Sequence, residues 1–304
     1  MPSDLRFGII GLGLMGREFA SAAARWIHLN DFDVRPVIVA VCDTNETALG
    51  WFKSNIPTIN FVTTDYRQLL SREDIDAIYC AVPHNLHEQF YCDIISAGKH
   101  LLGEKPFGID LAANRKILET IQLNPKTFVR CSSELPFYPG GIAIVQALLR
   151  KDFGQIVEVE CGLLHSSDIN PQKAINWKRM TQFNGKYGCM GDLGMHVLHI
   201  PLRFGWFSTK YPRTLQVMEY EPGGNQAWQQ IDLGYQSAYP TITGSIFEFG
   251  FTDAILQMWA AFCDELAHGR EKMRQPFYCV TPHETHQSHL IFTQALASYA
   301  ADFN

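Results

Sequence analysis

Arg6-Phe7-Gly8-Ile9-Ile10-Gly11-Leu12-Gly13-Leu14-Met15-Gly16 decides the fold. Its first five residues read as a short apolar strand. The last six form a G-x-G-x-x-G turn, and a helix-like stretch from Arg17 to Trp26 follows. A strand, a glycine turn and a helix start together make a device for holding a pyrophosphate. Gly11 permits the tight turn and Gly13 lets backbone approach the phosphates. Gly16 lets the helix pack close on the strand, and the helix N-terminus faces the anion. Leu12, Leu14 and Met15 sit between these glycines and share the expected nucleotide contact.

Outward from that stretch, strands and helices alternate. Val37 to Cys42 is a β-branched run too short for a buried helix. Asp43 ends it, and a helical stretch from Glu46 to Lys53 follows. Ala77 to Val82 is a second buried strand, stopped by Pro83, with a helix expected from Asn85 to Ala97 and Gly98 as its C′ glycine. A short strand at Leu101-Leu102, a helix from Asp110 to Ile121 and Thr127-Phe128-Val129 close the alternation. This order predicts an α/β unit with a doubly wound parallel sheet over residues 1–131.

The pattern changes after Cys131. Pro139 to Lys151 reads as a helix, whereas Ile156–Leu164, Thr214–Tyr220 and Ile242–Phe249 read as longer strands with no helix between every pair. Phe251, Ile255, Met258, Trp259, Phe262 and Leu266 recur at helical spacing. The last helix opens with Thr281 as N-cap, Pro282 at N1 and Glu284 at N3. Residues 132–304 are expected to form an α+β domain with an open, mostly antiparallel sheet.

Composition limits the function classes. The chain has 304 residues, 46% hydrophobic and 18% charged, and can bury a substantial core. A net charge of -6 without long single-sign runs argues against nucleic acid and anionic membranes as partners. No apolar stretch approaches the roughly 18 residues of a membrane span. Asp4 and the immediate first strand leave no signal-peptide pattern. The eight cysteines form no C-x-x-C pair and several lie in apolar runs, so they read as reduced, mostly buried thiols of a cytoplasmic protein.

Three further signals carry chemistry. Asp43, at the end of the second strand, can accept hydrogen bonds from ribose hydroxyls and repel a 2′-phosphate. Thr44 and Asn45 follow with no arginine, which favours NAD over NADP. Its competing role is a turn or N-cap residue. Gly103-Glu104-Lys105-Pro106 puts a lysine at the carboxyl edge of the sheet, where open α/β sheets bind ligands; Lys105-Pro106 is also a candidate cis bond. Gly191-Asp192-Leu193-Gly194-Met195-His196 spaces a carboxylate and an imidazole four residues apart, on one face of a helix. His199 is a second candidate base. His283, His286 and His289 read as a solvated face, with no metal site expected. Trp177-Lys178-Arg179 could line a cleft for a polyhydroxylated or anionic small molecule.

In this order and spacing, the glycine turn, Asp43, Glu104-Lys105-Pro106 and Gly191-Asp192-x-Gly194-x-His196 resemble the Gfo/Idh/MocA oxidoreductase family over essentially the whole chain. The resemblance implies a Rossmann domain followed by an open-sheet domain, with the active site between them. It implies hydride transfer between a nicotinamide cofactor and a hydroxyl-bearing carbon of a sugar or cyclitol. Lys105, Asp192 and His196 would be the catalytic trio. Ala81, Pro83, Asn85, His87, Glu104, Lys105 and Pro106 would flank the cofactor, with Glu104 near its ribose. Asp192 would either orient His196 or bind a substrate hydroxyl. Two alternatives share the fold: a glycoside hydrolase that uses NAD for transient oxidation, and a nucleotide-binding sensor without catalysis. The chain departs from the family at Gly185-Lys186-Tyr187-Gly188, where bulkier residues replace small ones at an expected pocket wall. It is also short between Trp206 and Phe249, which bears on an expected homo-oligomer through the C-terminal sheet. Pro201 is expected to bend or stop the His196 helix.

Overall fold

The computed structural model describes residues 3–30, 32–149, 162, 172, 174–204, 208–211, 214–217, 228–233, 238–239 and 250–302. Strand β1 (Ser3–Ile10) leads through the glycine turn into α1 (Leu14–Ala24), then β2 (Val34–Cys42), α2 (Glu46–Asn55), β3 (Phe61–Thr63) and α3 (Tyr66–Leu70). Next come β4 (Ala77–Cys80), α4 (His87–Ser96), β5 (His100–Glu104), α5 (Leu111–Leu123) and β6 (Val129–Ser132). The six strands form one sheet in the order β3-β2-β1-β4-β5-β6, every pair parallel. The order reverses beside β1, at the switch point where such sheets bind ligands.

Apolar runs without alternation produce this sheet because both of its faces are covered. Side chains still alternate between the faces. Phe7, Ile9, Val41, Tyr79 and Leu102 enter one core. Ile10, Ala40, Cys42, Ile78 and Leu101 enter the other. Short β3 and α3 escape notice in the sequence because neither holds a full period of either pattern.

The remaining elements are α6 (Pro139–Leu149), α7 (Thr181–Asn184), a wide π turn over Met190–Gly194, α8 (Met195–Phe204), β7 (Ser208–Tyr211), β8 (Thr214–Val217), β9 (Gln229–Asp232), α9 (Phe251–His268) and α10 (Pro282–Asp302). Strands β7, β8 and β9 pair antiparallel in that order. The strand expected over Thr214–Tyr220 is described as far as Val217. Those expected over Ile156–Leu164, apart from Gly162, and over Ile242–Phe249 lie outside the described residues. Helix α8 runs through Pro201 to Phe204 rather than stopping at the proline. No helix among the described residues is long and apolar enough to cross a membrane.

The chain then returns to its first half. Helix α9 carries Trp259 and Phe262 against Phe7, with ring centroids 6.5 and 6.1 Å away, and covers one face of the parallel sheet beside α1. Arg130 of β6 donates from Nε to Glu265 Oε2 of α9 at 2.9 Å, and its Nη2 meets Oε1 of the same carboxylate. Helix α10 opens with the expected capping box, Thr281 N–H donating to Glu284 Oε2 at 2.7 Å. It joins α5 through Asn114, whose Nδ2 donates to Thr285 Oγ1 at 3.2 Å. Cys131 N–H donates to Val280 O at 2.8 Å and ties β6 to the segment entering α10. Residues beyond 250 therefore complete the packing of the first 132, a contact across the sequence that periodicity cannot reveal.

Candidate active site

The glycine turn is built as its spacing requires. Gly11 has φ +91°, and a Cβ there would lie 2.4 Å from Ala81 O. A Cβ on Gly16 would lie 2.3 Å from Gly11 O, so helix and turn meet backbone to backbone. At Gly13 a Cβ would meet nothing within 4 Å. That is an open cradle beside the start of α1, where no side chain caps the helix and no acidic residue stands in the first turn. Uncapped N–H groups at a helix start attract a phosphate. Asp43 accepts the Leu12 N–H at 2.6 Å and the Asn45 N–H at 2.8 Å, while Asn45 itself caps α2. Asp43 therefore pins the glycine turn to the end of β2. These residues fit a dinucleotide: the open glycine would receive the pyrophosphate, and the carboxylate beside it would receive ribose hydroxyls.

Glu104 ends β5, and Lys105-Pro106 is cis. Glu104 points into the sheet. Its Oε1 accepts Tyr79 OH at 2.7 Å and Ser132 Oγ at 2.8 Å, and its carbonyl accepts Tyr91 OH at 2.7 Å. Burial and the Glu104 charge push the Tyr79 phenol well above its ordinary range. Behind the turn, Pro106 O is hydrogen-bonded to His289 Nε2 at 2.8 Å. His289 is fully buried and His286 bonds Asn114 Oδ1 at 2.9 Å, so these two pack inward while His283 alone of the series is exposed.

Lys105 Nζ donates to the Asp192 carbonyl at 2.6 Å and to its Oδ1 at 2.9 Å. The same carboxylate receives Lys178 Nζ at 3.0 Å on Oδ1 and Arg179 Nη1 at 3.1 Å on Oδ2. Burial would raise the Asp192 carboxyl, but Lys105 and then Lys178 outweigh it and hold the group well below its usual range. Asp192 sits in the π turn that precedes α8, and His196 follows in the helix. The expected carboxylate–imidazole contact is not made, because the Asp192 oxygens are taken by three cations. The nearest carboxylate to the ring is Glu134, its Oε1 3.6 Å from His196 Nδ1. Burial, with the charge of Lys105, keeps the His196 imidazole neutral, well below its ordinary pKa.

A cavity of about 390 Å³ brings these groups together. Leu14, Met15, Ala81, Val82, His84, Glu104, Lys105, Glu134, Trp177, Lys178, Asp192 and His196 line it. Of the expected cofactor contacts, Leu14, Met15, Ala81, Glu104 and Lys105 line it, whereas Gly11, Leu12, Gly13, Gly16, Asp43, Pro83, Asn85, His87 and Pro106 do not. His87 is fully buried, with Nε2 3.0 Å from Val82 O and its ring stacked on Tyr91. His84, itself buried, lines the cavity instead, because a 3-10 turn over His84–Leu86 precedes α4 and carries its ring inward. Its Nδ1 bonds Asn184 Oδ1 at 2.6 Å, and burial and Lys105 push it down to about 3. His199 is fully buried with Nδ1 2.8 Å from Ser133 Oγ, so of the two candidate bases His196 is the one that lines the cavity. Tyr187 does not build a pocket wall: its hydroxyl bonds Thr293 Oγ1 at 2.8 Å, against α10.

Glu134 has no expectation attached to it in the sequence, and its one signal is position. It lies two residues beyond the end of β6, at the carboxyl edge of the sheet. Burial and the neighbouring Glu104 push its carboxyl up to about 7.

Residues 5–130 match the family model described as an oxidoreductase family, NAD-binding Rossmann fold, under the label Gfo/Idh/MocA. A glycosyl hydrolase family 109 protein of Shewanella putrefaciens is 25% identical over 169 residues, 53% of this chain and 35% of that protein. A levoglucosan dehydrogenase of Pseudarthrobacter phenanthrenivorans is 22% identical over 197 residues, 64% of this chain and 50% of that protein. The chain thus spans between about a third and a half of these curated relatives. A solved levoglucosan dehydrogenase in complex with NADH has the same fold, with TM-score 0.82, 16% identity and 98% of each chain covered. Over residues 5–130, therefore, the chain is similar to the NAD-binding Rossmann segment of the Gfo/Idh/MocA oxidoreductases.

Proposed function

We propose that the protein is an NAD-dependent oxidoreductase that moves a hydride between the nicotinamide and a hydroxyl-bearing carbon of a sugar, cyclitol or sugar derivative. The observation that carries this reading is the meeting of Lys105 and His196 in one cavity, which Leu14 and Met15 of the glycine turn also line. Bound NAD would supply the hydride acceptor. The chain's own residues handle proton and charge. Neutral His196 takes the hydroxyl proton as the carbonyl forms. The Lys105 ammonium, fixed by Asp192, stabilises the oxygen as alkoxide character develops. Asp192 holds the lysine in place, a role it fills with Lys178 and Arg179 bonded to the same carboxylate. Trp177 and Lys178 on the lining suit a polyhydroxylated ring, with an apolar face for the ring and a donor for its hydroxyls. The relative named levoglucosan dehydrogenase supports a sugar substrate.

The glycosyl hydrolase family 109 relative favours one second reading, glycoside cleavage through transient oxidation, which would release product with no net NADH. The two separate in one assay. Purified protein is incubated with NAD or NADP and a panel of anhydrosugars, aldoses, inositols and aryl glycosides, following absorbance at the reduced-nicotinamide band together with product chromatography. Net NADH with an oxidised product is the expected result. Cleavage without net NADH establishes the hydrolase, and silence across the panel with intact NADH binding overturns both.

A further inference from the structure

Among the cavity side chains, Glu134 is a titratable group that the proposed reaction leaves without a task. It is not placed there by chance of sequence alone. It starts the turn that leaves β6, its side chain is 9% exposed, and its Oε1 faces His196 Nδ1 at 3.6 Å. His196 Nδ1 is buried and has no hydrogen-bond partner among the described residues. A buried ring nitrogen in that position is costly unless a partner approaches it. At 3.6 Å the contact is an ion-pair distance and not yet a hydrogen bond. Catalytic hydrogen bonds are often long before substrate arrives and tighten in the complex.

We propose that Glu134 is the positioning residue of His196: its carboxylate accepts the Nδ1 proton of the neutral ring, which leaves the Nε2 lone pair to take the substrate's hydroxyl proton. This rests on the oxidoreductase reading. Electrons and protons balance in the step. The C–H pair leaves as hydride to the nicotinamide, the O–H proton goes to Nε2, and the imidazolium so formed keeps its Nδ1–H on the Glu134 carboxylate. Asp192 is not available for this task, since Lys105, Lys178 and Arg179 occupy its oxygens.

The groups facing the pair come from every element around it. Glu104 at the end of β5, Lys105 beyond it, Lys178, and His199 and Asp192 on either side of His196 all act on the pair. Glu104 and burial favour the protonated carboxyl, and Lys105 and Lys178 oppose it, which brings Glu134 to about 7. Its ionised form, the one that orients the ring, therefore grows across the neutral range. Oxidation should rise with pH over the same interval.

The test reads the ring directly. Protein labelled with ¹⁵N-histidine is titrated with and without saturating NADH, and His196 is assigned by its loss in His196→Asn. In the wild type above pH 8, long-range ¹H–¹⁵N spectra should show the Nδ1–H tautomer. In the wild type the Nδ1–H tautomer should grow across the neutral range as Glu134 ionises, whereas in Glu134→Gln, which cannot ionise, the tautomer ratio should not change with pH. In Glu134→Leu the Nδ1–H preference should disappear. Unchanged NADH affinity certifies the fold of each variant, and Glu134→Gln, nearly isosteric, keeps the test open should the leucine variant not fold. A wild-type share of the Nδ1–H tautomer in Glu134→Leu, or a wild-type pH dependence of the tautomer in Glu134→Gln, would overturn the assignment. Failure of the oxidoreductase reading looks different: no turnover by the wild type, with the Glu134-dependent tautomer still present.

Discussion

Replacing Glu134 by Gln should stabilise the protein at alkaline pH and do so by less than about 1 kcal/mol at pH 5, just inside the titration window. The buried carboxyl is pushed from an ordinary 4.5 to about 7, by burial first and Glu104 second. The folded protein therefore binds a proton, between those values, that the unfolded chain has released. By linkage, stability falls as pH rises through that window. The contribution is fully present below 4.5, where both states are protonated, and is lost above about 7, where both are ionised. Each tenfold ratio is worth about 1.36 kcal/mol, so the interval corresponds to about 3 kcal/mol at pH 8.5. Glutamine mimics the protonated acid and carries no such loss. Asp192 acts in the opposite sense, its depressed carboxyl favouring the fold above its unfolded pKa and less so as acid protonates it, and this is common to both proteins. Urea unfolding at pH 5.0 and 8.5 measures the difference. With a slope of about 3 kcal/mol per molar, the variant's midpoint should exceed the wild type's by about 1 M at pH 8.5. Equal midpoint differences at the two pH values would show that Glu134 is not held in a proton-favouring site, and the reasoning would fail.

The other predictions are compact. Gly11→Ala should lower the melting temperature and abolish NADH binding, because its Cβ meets Ala81 O at 2.4 Å in a left-handed backbone conformation. Gly13→Ala should melt like the wild type yet bind NADH at least tenfold more weakly by fluorescence titration, since its methyl group enters open space that the pyrophosphate would need. Lys105→Met should keep NADH affinity and fold, because Lys178 and Arg179 still neutralise Asp192, but should lose about 10²–10³-fold in turnover. Arg130→Met should destabilise the protein by about 1–3 kcal/mol in urea unfolding, less than a fully orphaned charge, because Glu265 retains Arg270 at 2.6 Å.

How much of this was legible depends on whether the signal was local. The Thr281–Glu284 box is set within a few residues and its spacing alone placed it, and the glycine turn was legible from its own spacing, although Asp43 meets that turn across 31 positions, at Leu12. The alternation after β1 fixed a parallel sheet because apolar β-branched runs of that length bury both faces of a strand. Lys105 and His196 were legible as residue types at a sheet edge and on a helix. Their partners were not. A D-x-x-x-H spacing suggests that the acid serves the imidazole, but the spacing carries no record of Lys105, Lys178 and Arg179 arriving from elsewhere in the chain to take up that acid.

The same reasoning explains the histidines. His84 and His87 differ in sequence by three positions, and only the 3-10 turn before α4 decides that the first faces the cavity while the second stacks on Tyr91. His289 reads as a surface residue until α10 is seen to lie behind the lysine turn, where its ring meets Pro106 O. In each case the deciding quantity is the charge or packing of a neighbour distant in sequence. Helices α9 and α10 supply many of those neighbours, because the chain comes back to cover the sheet it began with. The parallel sheet of the first 132 residues is therefore covered in part by elements from beyond residue 250. A variant that loosens α9, such as Arg130→Met, should also disturb the β5 and β6 edge, where Glu104, Lys105 and Glu134 stand. If that coupling holds, NADH affinity will fall in parallel with stability across substitutions along the α9 face. Loss of stability with full NADH affinity would instead mean that the sheet edge keeps its shape without the helix that packs on it.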